Sequence, residues 1–329
     1  MLLPTLIDIR RPEGKDLDPE DIFGSSLGGI FTDDLQNQHG DDPDTAIVYK
    51  NARHGNLEFR TADINGEEER RKMAHYLWNA GVLMAELVGG RPEEGQAAPI
   101  DVFGLEGWKH GEWWMSKEEE KSWSVEGETV IELGAGVGLG GVMSALAGAN
   151  EARQTSASNS QYRGLTNLFK VTITDYPAPP ILEAIKTNVT KNLQEPLRSR
   201  VAVEGHLWGD ISSDFAGAHA RHYTRVLAAD CLWMLGEHEN LAKSMLHFLA
   251  DVPDARVLCI AGFHTGRAKL VPFFEEVVPR QGLEVEELYE MDADGVRRPW
   301  ARERDGGREN IGERKKWLVV SRIRRRRVQ

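Results

Sequence analysis

Thr129-Val130-Ile131-Glu132-Leu133-Gly134-Ala135-Gly136-Val137-Gly138-Leu139 carries the architecture of this chain. Residues 129–133 are β-branched or apolar around a single acid, the pattern of a strand, and 139–147 repeat apolar residues at helical spacing. The glycines between them let the backbone approach a ligand closely, and the following helix presents free N–H groups and a positive dipole end. A dinucleotide fingerprint places its third glycine three residues after the second. Leu139 stands there, and Gly138 instead completes an acid-x-Gly-x-Gly-x-Gly run that starts at Glu132. A carboxylate two residues ahead of the first glycine suits a ligand bearing an ammonium group better than a pyrophosphate. A glycine turn that holds no ligand is the plain alternative.

Downstream, β-rich runs at 171–175, 201–208, 226–230, 257–261, 283–289 and 317–323 alternate with helical patterns at 181–192, 237–250 and 269–280. With 129–133 this makes seven strands in an α/β fold, a mostly parallel sheet with helices on both faces. No helical pattern separates the last two strands, so an antiparallel pair is expected at one edge. Residues 150–167, rich in Ser, Asn and Gln, read as a surface insertion.

Upstream, Met73, Tyr76, Leu77, Ala80, Leu83, Met84 and Leu87 recur at three- and four-residue spacing, which predicts an amphipathic helix over 67–87 stopped by Gly89-Gly90. Residues 91–127 form a long linker rich in Gly, Glu and Trp, and loops of that length usually have a function or no fixed structure. Residues 1–70, broken by Gly, Pro and Asp, read as an irregular N-terminal arm, leaving 71–329 as the main domain.

The 329 residues, 40% hydrophobic and 28% charged, suffice for a full α/β core. A formal net charge of -12 argues against broad nucleic-acid binding, which needs a surface that displaces counterions from phosphates. Arg322, Arg324, Arg325, Arg326 and Arg327 read as a solvated basic end. Two cysteines, Cys231 and Cys259, each in an apolar run, indicate no disulfide framework. No stretch approaches a membrane span, and the first residues lack the basic start of a leader, so a cytosolic or nuclear monomer is expected.

Asp175 ends the second strand, where an acid can accept hydrogen bonds from both hydroxyls of a ribose. Its distance from Gly136 exceeds the usual spacing of about 20 residues, and removing 150–167 restores it. Trp208, just before Gly209, is placed to cover a flat ring with apolar area. His238 could be a base, although a capping or helix-surface histidine is the better reading. Trp108, Trp113 and Trp114, with Glu118, Glu119 and Glu120, either gate an entrance or dock the linker by packing.

Taken in order, Leu77-Trp78-Asn79-Ala80-Gly81, Val130 to Leu139, Thr174-Asp175-Tyr176-Pro177, Leu207-Trp208-Gly209 and Ala228-Ala229-Asp230-Cys231-Leu232-Trp233 resemble the seven-β-strand methyltransferases of the lysine methyltransferase type (methyltransferase family 16). The resemblance runs from about Tyr76 to the C-terminus. It extends to fungal proteins labelled nicotinamide N-methyltransferase-like and to enzymes that methylate the N-terminus and a nearby lysine of a translation elongation factor. It implies a Rossmann-like fold and S-adenosyl-L-methionine as cofactor. By the same resemblance, Trp78, Gly134, Ala135, Gly136, Asp175, Trp208 and Ala229 contact the cofactor, joined by Glu132 and Gly138 of the glycine run. Asp230 and Trp233 match an acid-x-x-aromatic motif in which Tyr or Phe is usual where this chain has Trp. They are the candidates for the catalytic wall. No metal is implied.

Three readings remain open on the sequence: an N-methyltransferase acting on a protein lysine or α-amine, an N-methyltransferase of a small heteroaromatic amine such as nicotinamide, and a catalytically silent partner protein that binds the cofactor.

Overall fold

A computed structural model of the chain describes residues 2–11, 38–40, 43–63, 76–92, 114–148 and 170–327. Its centre is an eight-stranded sheet of β6 (Val130–Leu133), β7 (Val171–Asp175), β8 (Val201–Gly205), β9 (Arg225–Ala229), β10 (Arg256–Gly262), β11 (Leu283–Asp292), β12 (Arg297–Pro299) and β13 (Trp317–Arg325). The spatial order is β12-β11-β13-β10-β9-β6-β7-β8. The five strands from β10 to β8 in that order run parallel, and β13 runs antiparallel to both β10 and β11. The expected antiparallel edge is therefore present. The sheet exceeds the expected seven strands by the three-residue β12, which pairs with β11. Chain order reverses between β6 and β9, opening a crevice at their carboxyl ends where ligands collect in such sheets.

Helices cover both faces. On one face lie α2 (Asn79–Gly89), α4 (Leu139–Leu146) and α5 (Pro179–Asn192); the other is covered by α6 (His238–Phe248) and by the helical run that begins with α7 (Arg267–Pro272). Two further helices stand earlier in the chain, α1 (Leu2–Thr5) and α3 (Lys117–Trp123).

The segment expected as an irregular arm contains ordered structure in its described parts. β1 (Ile7–Arg10), β3 (Ala46–Asn51) and β4 (Gly55–Phe59) form an antiparallel sheet in the order β1-β3-β4. β2 (Gln38–His39) pairs with β5 (Leu77–Trp78), just ahead of α2. Leu3, Ile47, Tyr49 and Phe59 are fully buried and belong to the same apolar core as α2 and α4. That contact explains α2. Instead of one apolar stripe, it is buried on nearly every side, held between the small sheet and the large one. Residues 67–75 of the expected helix lie outside the described residues.

Burying Glu86 of α2 requires partners, and it has them. The Tyr49 hydroxyl and Trp114 Nε1 (2.7 Å) donate to its carboxylate, while Asn51 donates to Tyr49 at 2.9 Å. Desolvation still raises the Glu86 pKa to about 7. Trp114 thus docks the linker by packing. Trp108 and Trp113, like 93–113 generally, lie outside the described residues, as does the 150–167 insertion. A Ser116–Glu119 capping box starts α3.

The arginines near the C-terminus depart from a merely solvated end. β13 brings Arg322 against Glu287 at 2.9 Å and Arg324 against Glu284 at 3.2 Å, both on β11, and Arg325 donates to the Leu249 carbonyl that follows α6. Both cysteines are free and buried. No helix among the described residues is long and apolar enough to cross a membrane.

Candidate active site

The crevice above β6 and β9 holds a cavity of about 310 Å³. Trp78, Glu132, Gly134, Ala135, Gly136, Asp175, Trp208, Ala229, Asp230 and Trp233 all line it. Residues 132, 175, 208, 229 and 230, far apart in sequence, meet because every parallel strand ends here. Gly138 does not line it. With φ 82° it stands at the N-cap of α4, where an added Cβ would stand 3.1 Å from Ile185.

Glu132 leaves β6 beneath the glycine loop. Its two carboxylate oxygens accept the N–H groups of Gly140 (3.1 Å) and Gly141 (2.8 Å), which the first turn of α4 leaves unpaired. The acid expected to face an ammonium group therefore also caps a helix. Burial raises its pKa to about 8, against those two hydrogen bonds. Asp175 accepts from Gly136 N at 2.7 Å and from Tyr176 N at 2.6 Å, and burial raises it to about 6. In both cases, loss of hydration outweighs the backbone donors.

Trp208 lies across Gly134, where an added Cβ would stand 2.8 Å from the indole and 2.9 Å from Cys231 Sγ. Only glycine leaves this cradle open. Ser244 fixes the segment by accepting the Gly209 N–H at 2.8 Å while its hydroxyl lies 2.9 Å from His206 Nε2. His206 also lines the cavity, and burial lowers its pKa to about 4, so it is neutral at physiological pH.

Asp230 sits at the end of β9 with φ 56°, a left-handed conformation uncommon outside glycine. Its Oδ1 accepts the Gly262 N–H at 2.9 Å, and Oδ2 lies 2.9 Å from His264 Nε2. The His264 ring packs over Gly262, where a Cβ would be 2.2 Å from Nε2, and against Trp78 with ring centroids 4.6 Å apart. Sequence reasoning missed His264. The available signal was its position just past the fifth parallel strand, in Gly262-Phe263-His264. Tyr76, Leu207, Met234 and Glu237 are also among the lining residues and were missed as well. His238, in contrast, is buried outside the cavity. Its Nε2 donates to the Leu232 carbonyl at 3.0 Å, tying α6 to the Asp230–Trp233 turn, so it is neither a base nor a helix-surface residue.

These residues fit S-adenosyl-L-methionine. The open Gly134 cradle and Trp208 offer a surface for an adenine, Asp175 acceptors for ribose hydroxyls, and the acids counter-charges for a sulfonium and an ammonium. Among the described lining residues, Glu132, Asp175, Asp230 and Glu237 are acidic and none is Lys or Arg.

A lysine methyltransferase family model matches residues 60–277. The chain is similar to the Schizosaccharomyces pombe protein named Protein N-terminal and lysine N-methyltransferase efm7, 24% identical over 66% of this chain and 67% of that protein. It is similar to the Aspergillus fumigatus protein of the same name, 26% identical over 70% of this chain and 80% of that one. Among solved structures, a SAM-dependent methyltransferase from Aquifex aeolicus aligns with 60% of this chain and 82% of its own at 12% identity, with a TM-score of 0.38. With the family model covering most of the sheet and the motifs meeting in one cavity, the chain belongs to the lysine methyltransferase family and is an S-adenosyl-L-methionine-dependent N-methyltransferase.

Proposed function

We propose that this enzyme methylates an amine of a protein, a lysine side chain or an N-terminal α-amine, acting as a monomer in the cytosol or nucleus, with a translation factor as the first acceptor to test. The observation that carries the reading is the acidic lining of the cavity, Glu132, Asp175, Asp230 and Glu237 with no Lys or Arg among the described lining residues, an environment that a bound cation would ionise fully. Such a mouth draws in cations, and both the cofactor and a protein amine are cationic at neutral pH. The names of the relatives point the same way. Leu207 on the rim is 50% exposed, and the neighbouring Leu235 is 51% exposed, giving apolar area to a macromolecular acceptor.

Bound S-adenosyl-L-methionine supplies a methyl carbon on a positively charged sulfur. The protein has to place a neutral amine in line with it and keep water out. Deprotonating a lysine of pKa about 10.4 at neutral pH costs on the order of 4 to 5 kcal/mol. The acids of the lining favour the ammonium, while burial in the cavity that Trp78 and Trp233 help to line favours the amine. The proton is therefore given up to solvent water as the side chain passes from one to the other. Asp230, fixed by Gly262 and His264, orients the amine by accepting one of its N–H bonds. The cofactor would supply the methyl group and keep the electron pair of its C–S bond, while the amine held by Asp230 would supply the pair for the new N–C bond.

Transfer of labelled methyl groups into a cell lysate, resolved into protein and small-molecule fractions, tests this. Label on lysine or an N-terminal amine of a protein is expected. Label confined to small molecules would move the enzyme to heteroaromatic amines, and cofactor binding without transfer to any fraction would favour a silent partner.

A further inference from the structure

A helix and a strand meet in this protein as if the helix were a second strand. Along α5, Asn188 and Asn192 are four residues apart, a rise of about 6 Å. Along β4 and its continuation, Glu58 and Arg60 are two residues apart, a rise of about 6.7 Å. The near match lets two side-chain amides pair with two backbone peptides. Asn192 accepts the Glu58 N–H (2.8 Å) and donates to the Glu58 carbonyl (2.8 Å). Asn188 does the same with Arg60, at 2.9 Å in both directions. Among the described residues β4 has β3 as its one strand partner, so this ladder satisfies peptide groups on its other edge.

The two rungs are not equivalent. Asn188 Nδ2 has a second partner, the Val137 carbonyl at 3.0 Å, inside the glycine loop between Gly136 and Gly138. Asn192 Nδ2 instead makes its second bond to the Asn188 carbonyl of its own helix, at 2.8 Å. Asn188 is 2% exposed and Val137 1%, so water does not replace the lost bond when either partner is removed. The loop is thereby gripped from two sides, at Gly136 N by Asp175 and at Val137 O by Asn188.

We propose that Asn188 is a positioning residue for the cofactor, which couples the docking of the N-terminal sheet to the shape of the glycine loop. Because such a coupling is reciprocal, cofactor binding must tighten the β4 ladder as the ladder tightens the loop. The segment before residue 60 lies outside the strand-glycine-helix unit and yet contributes to its affinity.

Calorimetric titration of the full chain with S-adenosylhomocysteine separates the rungs. Asn188→Ala is expected to weaken binding at least about fivefold, the scale of one buried hydrogen bond. Asn192→Ala, which removes the other rung of the ladder, should stay within about twofold of wild type. A folded Asn188→Ala variant with wild-type affinity, or equal weakening by both variants, overturns the proposal, since a purely structural ladder predicts no difference between its rungs. Wild-type binding in the same titration reports separately on the cofactor site. If Asn188→Ala does not fold, hydrogen exchange on the wild type decides. The cofactor product should slow exchange of the Glu58 and Arg60 amides, and unchanged exchange there while the glycine loop is protected overturns it.

Discussion

Glu132 and Asp175, beside the glycine loop, give both oxygens of each carboxylate to backbone N–H groups, whereas Asp230 at the end of β9 divides its carboxylate between the Gly262 N–H and the side chain of His264. Backbone donors move only with the loop or helix that carries them, so the first arrangement is part of the fold and preorganised for one ligand. A side-chain partner can turn or titrate, so the second can follow an acceptor that arrives, reacts and leaves. Trp78 adjoins both arrangements. It lines the cavity and packs against His264, while β5 and α2 tie it to the N-terminal region.

The sharpest way to break this comparison is to change Asp230. If it orients the amine in the transition state, Asp230→Asn should lower kcat roughly 10²-fold or more while the S-adenosylhomocysteine Kd stays within a few-fold. His264→Ala should lower kcat less, by about tenfold, because Asp230 then loses the partner that sets its orientation. Steady-state kinetics beside calorimetry checks both. Equal loss of affinity and turnover in Asp230→Asn would move that acid to the cofactor side and dissolve the distinction.

Asp175→Ala should show the opposite split. Removing the acceptor for the ribose hydroxyls and for the Gly136 N–H should weaken cofactor binding by about 1 to 3 kcal/mol. At saturating cofactor, kcat should recover towards wild type. A variant whose kcat stays low at saturation would show that Asp175 also acts on the reacting atoms.

The parallel sheet was legible because each of its strands is an apolar run bounded by turn residues, and the glycine loop because three glycines follow a strand at fixed spacing. β12 was not: Arg297-Arg298-Pro299 is short and polar, and it becomes a strand only because β11 offers an edge. The N-terminal sheet escaped because Ala46–Asn51 and Gly55–Phe59 are short and flanked by Gly and Asp, and they share a core with the distant α2. For the site, the residues named from the motifs line one cavity, Gly138 apart. Glu132 looked like a ligand acid because nothing local shows that it also caps α4. His264 and Asn188 act through partners 34 and 51 residues away, and no spacing rule connects them.

The smallest expected effect is a dependence of cofactor affinity on pH, and it tests whether the backbone-held acids are poised for a cation. Without ligand, the folded pKa of Asp175 is raised from the ordinary 3.8 to about 6 and that of Glu132 from 4.5 to about 8. A raised folded pKa means the protonated form is favoured in the fold. The stabilising contribution of Asp175 is thus full below about 4 and lost as pH rises through about 6; that of Glu132 is lost through about 8. A cation in the cavity, or hydroxyls donating to Asp175, favours the ionised acids and lowers both values, so binding expels protons. Affinity for S-adenosylhomocysteine should therefore rise about three- to tenfold from pH 5.5 to 7, within the limit of tenfold per pH unit for each proton released. Calorimetry in buffers of different ionisation enthalpy should register the released proton. The rise in Tm given by the cofactor product should be larger at pH 8 than at pH 6, because the unliganded fold has by then lost what the protonated acids contributed. Glu132→Gln separates the two groups: proton release above pH 7 should vanish and release near pH 6, from Asp175, should remain. A flat affinity profile, or protons taken up on binding, would mean that these carboxylates serve the glycine loop alone and that the ligand's charge is met elsewhere.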